Sequence, residues 1–208
     1  MPDTVVLLHG IWMPRLSTWL LARRLRRCGF RTRLFGYPSR RRALPGHGER
    51  LARFVRGCEG RVHLVGHSLG GLVILHALRA HPELVAGHIV LLGSPVNGSA
   101  VARRLYSRRW SRWLIGDAAA LGLLGGGPGW RAQQPLGIVA GTRRIGIGRL
   151  VGGLAGDNDG TVAVAETALA TATDTATIHT THLGLLFSRA VARAVCRFLE
   201  QGRFENPA

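Results

Sequence analysis

The sequence Gly66-His67-Ser68-Leu69-Gly70-Gly71 joins an apolar segment at residues 61–65 to another at residues 72–80. The first segment predicts a short buried strand, and the second predicts a helix that stops before Pro82. A turn this sharp needs glycines on both flanks, because larger side chains would collide. The pattern therefore predicts that Ser68 is presented at the strand end, with the Leu69 amide and the helix N-terminus directed at the same point.

The rest of the chain alternates between the same two patterns. Further strands are predicted at residues 4–8, 31–35, 87–92, 136–140 and 175–180. Further helices are predicted at residues 16–27, 47–56 and 188–201, with Ser188 as the N-cap of the last. This order predicts an α/β fold with a mostly parallel sheet of about six strands and helices on both faces. Right-handed crossovers would bring all strand C-termini to one edge, where ligands bind.

One long segment interrupts this alternation. Residues 99–134 carry arginine and tryptophan in their first half, as in Arg108-Arg109-Trp110, and a glycine-rich run, residues 125–130, in their second. We interpret the segment as a cap or lid inserted into a single domain of residues 1–208. Basic residues with tryptophan also suit contact with an anionic membrane surface. An ordinary crossover helix with solvated arginines remains the alternative.

The charge balance is unusual. The 208 residues carry a formal net charge of +17, and all 28 basic residues are arginine. The absence of lysine excludes Schiff-base chemistry and a Walker-type phosphate loop. The charge suits an anionic partner, although an arginine-rich composition is an equally simple explanation. Nucleic acid is an unlikely partner because the sequence contains no recognisable nucleic-acid-binding motif.

Targeting features are absent from the sequence pattern. No apolar run has the length of a membrane span, and no basic segment or cleavage site accompanies the first apolar run. Cys28, Cys58 and Cys196 are an odd number at unrelated spacings, which predicts neither a disulfide framework nor a metal cluster. The expected location is the cytoplasm, with peripheral attachment to the inner membrane as an open alternative.

A serine hydroxyl needs a base, and the base needs an acid that orients it. His182 lies just past the last predicted strand, on the edge where Ser68 should emerge, whereas His179 is expected inside that strand. Asp159 lies in a loop after the fifth strand, so the chain order is Ser, Asp, His. Asp157 is two residues away and stays an alternative acid.

The loop after the first strand offers a second donor for an oxyanion. Gly10 lets the chain turn back, and the Ile11 amide would then face the site. His9 is expected to be buried and to hold this loop in place.

Four motifs of this sequence resemble those of small bacterial serine lipases and esterases of the α/β-hydrolase fold. They are His9-Gly10 after the first strand, the turn at residues 66–71, Asp159-Gly160-Thr161-Val162 and His182-Leu183-Gly184. The resemblance covers residues 4–199. It implies ester hydrolysis through an acyl-serine, with Ser68 as nucleophile, His182 as base and Asp159 as acid. Ile11 and Leu69 amides would form the oxyanion hole, supported by His9, Gly10, Gly66, His67 and Gly70. Related larger lipases bind calcium through an aspartate after the histidine; here Leu183-Gly184-Leu185 follows, so neither a metal nor a cofactor is expected.

The substrate is left open by this resemblance. An ester or a lipid is expected, and an acyltransferase or a thioesterase would use the same acyl-enzyme. A non-catalytic basic module that binds anionic membrane or nucleic acid is the alternative from another class. The acyl chain length, the alcohol portion, the acceptor and the oligomeric state are not encoded in these motifs.

Overall fold

Six parallel strands form one sheet in the order β2-β1-β3-β4-β5-β6. The structure, a computed structural model, describes residues 1–41, 43–84, 87–109, 111–116, 122–125, 134–152 and 154–204. The strands are β1 (Thr4–Leu8), β2 (Arg31–Phe35), β3 (Val62–His67), β4 (Ile89–Leu92), β5 (Leu136–Gly141) and β6 (Asp174–Ile178). The predicted α/β class, with a mostly parallel sheet of about six strands, is confirmed.

Helices cover the sheet on both sides. Within the described residues they are α1 (Trp19–Arg27), α2 (Leu44–Arg56), α3 (Leu69–Ala80), α4 (Ala100–Ser107), α5 (Arg112–Ile115), α6 (Gly148–Val151), α7 (Val164–Thr167), α8 (Gly184–Phe187) and α9 (Arg189–Gln201). A 3-10 helix at Arg15–Thr18 precedes α1. As predicted, Ser188 caps α9, and its Oγ accepts a hydrogen bond from the Val191 amide at 3.3 Å.

The two faces of the sheet have separate cores because successive strand residues point to opposite sides. Val6 and Leu8 of β1 pack with α2 and α3, whereas Val5 and Leu7 pack with α1 and α9. The central strands are buried on both faces, so they read as continuous apolar runs. β2 and β6 are edge strands and alternate between exposed and half-buried residues.

The strand order reverses direction between β1 and β3. The chain moves outward from β1 to β2 and then returns to place β3 on the other side of β1. Loops that leave the carboxyl ends of two such strands diverge and open a crevice between them. Ser68, which follows β3, and the loop that follows β1 both lie at this crevice.

Several boundaries differ from the expected ones. α2 begins at Leu44, three residues before the expected start, because Pro45 is accepted in the first turn of a helix. α3 begins at Leu69, directly after Ser68. The segment 16–27 divides into the 3-10 helix and α1. β6 ends at Ile178, so His179 lies one residue beyond the strand and not inside it.

The cysteine spacing predicted no disulfide framework, but the structure contains one disulfide. Cys28, which follows α1, forms a disulfide with Cys196 of α9, while Cys58 is free. The two cysteines are 168 residues apart, so their spacing carried no signal. They meet because α1 and α9 pack on the same face of the sheet. The cysteine argument for a reducing compartment therefore no longer holds.

The segment expected to form a cap is described in part. It contributes α4, α5 and residues 122–125, whereas Trp110 and residues 117–121 and 126–133 lie outside the described residues. α4 lies against α6. Among the helices that the structure describes, none combines the length and the apolar character that crossing a bilayer would require.

Candidate active site

Ser68 occupies a strained turn at the end of β3. Its backbone has φ 53° and ψ −120°, and apart from Trp12 it is the only non-glycine residue with positive φ in the described chain. Such a conformation persists only where the surroundings enforce it, and it is concentrated at functional sites. Gly66 and Gly70 let neighbouring backbone segments pack closely around this turn. A Cβ on Gly66 would lie 2.6 Å from the Gly71 nitrogen, and one on Gly70 would lie 2.8 Å from the His9 carbonyl oxygen.

A buried acid–base pair lies beside this turn. His182 Nδ1 donates a hydrogen bond to Asp159 Oδ2 at 2.6 Å, and the side chains of the two residues are 10% and 1% exposed. The other oxygen, Asp159 Oδ1, accepts hydrogen bonds from the amides of Thr161 at 2.9 Å and Val162 at 2.7 Å. The carboxylate is therefore held in position, and it fixes the His182 tautomer that leaves Nε2 free to accept a proton.

The two alternative residues lie elsewhere. Asp157 is exposed and pairs with Arg144 at 3.0 Å. His179 is exposed and contacts Thr142 Oγ1 at 3.4 Å. The structure thus brings His182 and Asp159 together and keeps His179 and Asp157 out of the pair.

His67 connects the serine turn to the acid–base pair. Its ring lies 4.7 Å from the His182 ring, and its Nε2 donates to the His182 carbonyl at 2.9 Å. Burial, followed by the nearby His182, lowers the pKa of His67 to about 3, so this ring is neutral. No hydrogen bond joins Ser68 Oγ to His182 Nε2 between these two described residues; in unliganded enzymes this bond is often long.

His9 forms several contacts with the loop after β1 and with Tyr37. His9 is buried, its Nδ1 donates to the Gly10 carbonyl at 2.8 Å, and its Nε2 accepts from the Tyr37 amide at 3.4 Å. The Tyr37 hydroxyl donates to the His9 carbonyl at 2.7 Å, and the two rings stack 4.5 Å apart. Burial lowers the pKa of His9, which keeps the ring neutral in these contacts.

Two backbone amides of the loops near Ser68 lack an acceptor. Neither the Ile11 nor the Leu69 amide donates a hydrogen bond to any residue that the structure describes. Gly10, next to Ile11, packs close to the serine turn, because a Cβ there would be 3.1 Å from His67 Nδ1 and 3.2 Å from Ser68 Cβ. Unpaired amides beside a strained serine are suited to stabilise a negatively charged oxygen.

A largely apolar cavity of about 50 Å³ opens at Ser68. Its walls come from the loop after β1, from α4 and α5, and from the loops on either side of Asp159. The lining residues are Ile11, Trp12, Ser68, Pro95, Ser99, Val101, Ala102, Leu105, Ile115, Leu123, Ile147, Thr161 and Val162. The cavity can hold an apolar group next to the serine hydroxyl.

Sequence reasoning missed three residues of this site. Tyr37 follows an edge strand and carries no motif. Trp12 has φ 62°, lines the cavity and donates from Nε1 to the Leu114 carbonyl at 2.5 Å. Gly93, at φ 56°, directly follows β4, and a Cβ there would lie 3.1 Å from both Asp159 Oδ2 and His182 Nδ1. Only Gly93 had a sequence signal, a glycine directly after an apolar strand.

Solved structures with a similar fold include three hydrolases. A Bacillus licheniformis lipase in mature form matches with a TM-score of 0.76 at 20% identity, covering 97% of this chain and 94% of that one. A pyrethroid hydrolase from Sphingobium faniae matches with a TM-score of 0.66 at 14% identity, covering 97% and 98%. The type II thioesterase of the borrelidin biosynthetic cluster matches with a TM-score of 0.68 at 16% identity, covering 96% and 92%.

At the level of sequence, the chain matches a family but no individual curated protein. No curated protein was found to match the chain. The pattern of the Alpha/beta hydrolase family, in contrast, matches residues 5–201, which is nearly the whole length. Together with the parallel sheet, this match means that the chain belongs to the alpha/beta hydrolase family.

Proposed function

We propose that the protein is a serine hydrolase that cleaves carboxylic esters, of the lipase or carboxylesterase type, through an acyl-serine intermediate. The observation that carries the proposal is the buried 2.6 Å hydrogen bond between His182 and Asp159 beside Ser68 in its strained turn. A base oriented by a buried carboxylate and a nucleophile at a strand–helix turn are the parts that acyl transfer to serine needs.

In the proposed mechanism, Ser68 Oγ attacks the ester carbonyl carbon while His182 Nε2 takes the hydroxyl proton. Asp159 accepts the Nδ1–H bond throughout and stabilises the imidazolium. The carbonyl oxygen, now negative, accepts hydrogen bonds from the Ile11 and Leu69 amides, each worth about 3–4 kcal/mol in comparable enzymes. His182 then protonates the leaving alcohol. Water repeats the sequence on the acyl-enzyme and releases the acid.

The test is hydrolysis of p-nitrophenyl esters from acetate to palmitate by the wild type and by Ser68→Ala. We expect turnover that depends on Ser68. Because the cavity encloses only about 50 Å³, the highest kcat/KM is expected on short acyl chains. Full activity in Ser68→Ala would overturn the proposal, whereas a maximum at long chains would mean that the residues around the cavity rearrange.

A thioesterase is the second candidate, because the fold is also similar to that of a type II thioesterase. The same attack on a thioester would release a thiol. Matched butyryl esters and N-acetylcysteamine thioesters, compared by kcat/KM, distinguish the two functions. A large preference for the thioester would favour the second, and acyl transfer would appear as product formed with an added alcohol in place of water.

Peripheral contact with an anionic membrane is the remaining proposal about partners. Trp12, Trp113 and Leu150 are 47%, 67% and 89% exposed and belong to segments that surround the cavity. Exposed Arg108, Arg109 and Arg149 lie in the same segments. Tryptophan and arginine together suit the headgroup region. Co-sedimentation with vesicles that contain phosphatidylglycerol should fall with added salt and in Trp113→Ala; salt-independent binding would contradict it.

A further inference from the structure

A second concave surface lies at the carboxyl end of the edge strand β2 and shares no lining residue with the cavity at Ser68. It is open to solvent and has a volume of about 610 Å³. Its lining combines arginines with apolar side chains: Arg15, Arg50 and Arg53, and Leu34, Phe35 and Phe54, whose ring also lies 5.0 Å from the Arg33 guanidinium. We refer to it as the arginine groove.

The three arginines of the groove come from two different segments. Arg50 and Arg53 are three residues apart on α2, so they lie on the same helix face. Arg15 comes from the 3-10 helix after β1, and its stem packs against Gly36, where a Cβ would be 3.3 Å from Arg15 Cδ. Arg50 is half-buried, and the other two are exposed.

These three arginines have no partner among the residues that the structure describes. None of their guanidinium groups forms a hydrogen bond or an ion pair there, and no carboxylate is among the residues that line the groove. Glu49, next to Arg50 on α2, pairs with His81 at 2.9 Å. Like charges held close together repel each other, so a bound anion would stabilise this arrangement.

At the other end of β2, a second arginine cluster has partners for its guanidinium groups. A groove of about 660 Å³ there contains Arg26, Arg31 and Arg33. Arg31 pairs with Glu59 at 3.1 Å, Arg26 donates to Thr32 Oγ1 at 2.9 Å, and Arg33 donates to a backbone carbonyl at 3.4 Å. The two arginine-lined grooves beside β2 therefore differ in whether their guanidinium groups have partners among the described residues.

We propose that the arginine groove binds a phosphate group on an organic ligand that also has an apolar or aromatic part. Guanidinium groups form paired, charge-assisted hydrogen bonds with phosphate oxygens, and three groups can contact one phosphate from several sides. The apolar lining residues Leu34, Phe35 and Phe54 would contact the apolar part of the ligand. Both a soluble phosphomonoester and the headgroup of phosphatidic acid have this chemistry. The inference does not depend on the proposed ester hydrolysis.

The test is titration calorimetry of the full chain with phenyl phosphate, with benzyl alcohol as the uncharged probe. Saturable binding of phenyl phosphate is expected, weakening with salt, and at least tenfold weaker in Arg50→Gln/Arg53→Gln because charge-assisted hydrogen bonds are lost. Arg189→Gln/Arg193→Gln on α9 removes the same charge from the other face of the sheet and should bind as the wild type does. Arg15→Gln supplies a variant outside α2, in case the double variant does not fold.

A second arm distinguishes the ligand sources by co-sedimentation with vesicles of phosphatidylcholine with or without phosphatidic acid. Loss of phosphatidic acid binding in Arg50→Gln/Arg53→Gln, with phenyl phosphate unbound by the wild type, would identify a headgroup site. Equal weakening in the α9 variant would reduce the effect to net charge and overturn the proposal. So would the absence of saturable binding in both arms.

Discussion

Asp159 and Asp157 lie two residues apart in one loop, yet they differ in every contact. Asp159 is buried and accepts hydrogen bonds from His182 and two amides, whereas Asp157 is exposed beside Arg144. We expect Asp159→Asn to lower kcat on the order of 10⁴-fold, because an amide there would favour the wrong His182 tautomer. Asp157→Asn should keep kcat near the wild-type value, because Asp157 contacts Arg144 and not His182. The loss of this exposed ion pair should change the free energy of unfolding by only about 0–1 kcal/mol. Ester hydrolysis rates for the two variants side by side check this; equal losses would contradict the assignment.

At Gly93, beside the acid–base pair, packing and backbone conformation both exclude a side chain. In Gly93→Ala the new methyl would meet Leu185 and both members of the acid–base pair. We expect a loss of roughly 1–3 kcal/mol in the free energy of unfolding from the positive φ, together with a fall in kcat. Gly29→Ala is the matched control: its φ is 92° but nothing lies within 4 Å of the added carbon. It should lose stability and keep kcat; a catalytically unchanged Gly93→Ala would refute the prediction.

At the scale of elements, the disulfide joins α1 to α9, the helices that cover one face of the sheet. Closing a loop of 168 residues restricts the unfolded chain. We expect Cys28→Ser to lower the free energy of unfolding by roughly 2–5 kcal/mol. Urea unfolding with and without reductant measures it. Cys58→Ser removes the free thiol and should leave stability almost unchanged, and a thiol titration that finds three free cysteines in the native protein would contradict the pairing.

Buried histidines make the free energy of unfolding of the whole protein depend on pH. Burial lowers the pKa of His9, His63, His67 and His76 below the ordinary value. Below about pH 6.5 the unfolded chain therefore binds protons that the folded chain does not, so stability falls as the pH falls. For His67 this loss continues to about pH 3. Each such histidine contributes a slope of up to about 1.4 kcal/mol per pH unit.

Denaturant unfolding between pH 7.5 and 5, above the range in which most carboxylates titrate, checks this dependence. The free energy of unfolding should decline towards pH 5, and His67→Gln should show a shallower decline than the wild type. A free energy that is constant over this range would contradict it.

Local sequence predicts most of the fold but only part of the site. The glycines around Ser68 and the apolar strands are local patterns, and each predicted element was found within a few residues. The order of Ser, Asp and His along the chain supplied the candidate acid and base. Helix starts were less accurate, because Pro45 and Ser68 allow a helix to begin earlier than its apolar stripe. Tyr37, Trp12 and the disulfide left no signal, because their partners are distant in the chain.

Local sequence was enough to predict the parallel sheet and the strand–helix turn that presents Ser68, because these depend on residue type and short spacing. The three-dimensional packing placed Asp159 and not Asp157 beside His182, paired Cys28 with Cys196, and brought three arginines to one surface beside β2. These outcomes depend on which chain segments pack side by side. That packing follows from the strand order and from the burial of two separate cores, which no local pattern records.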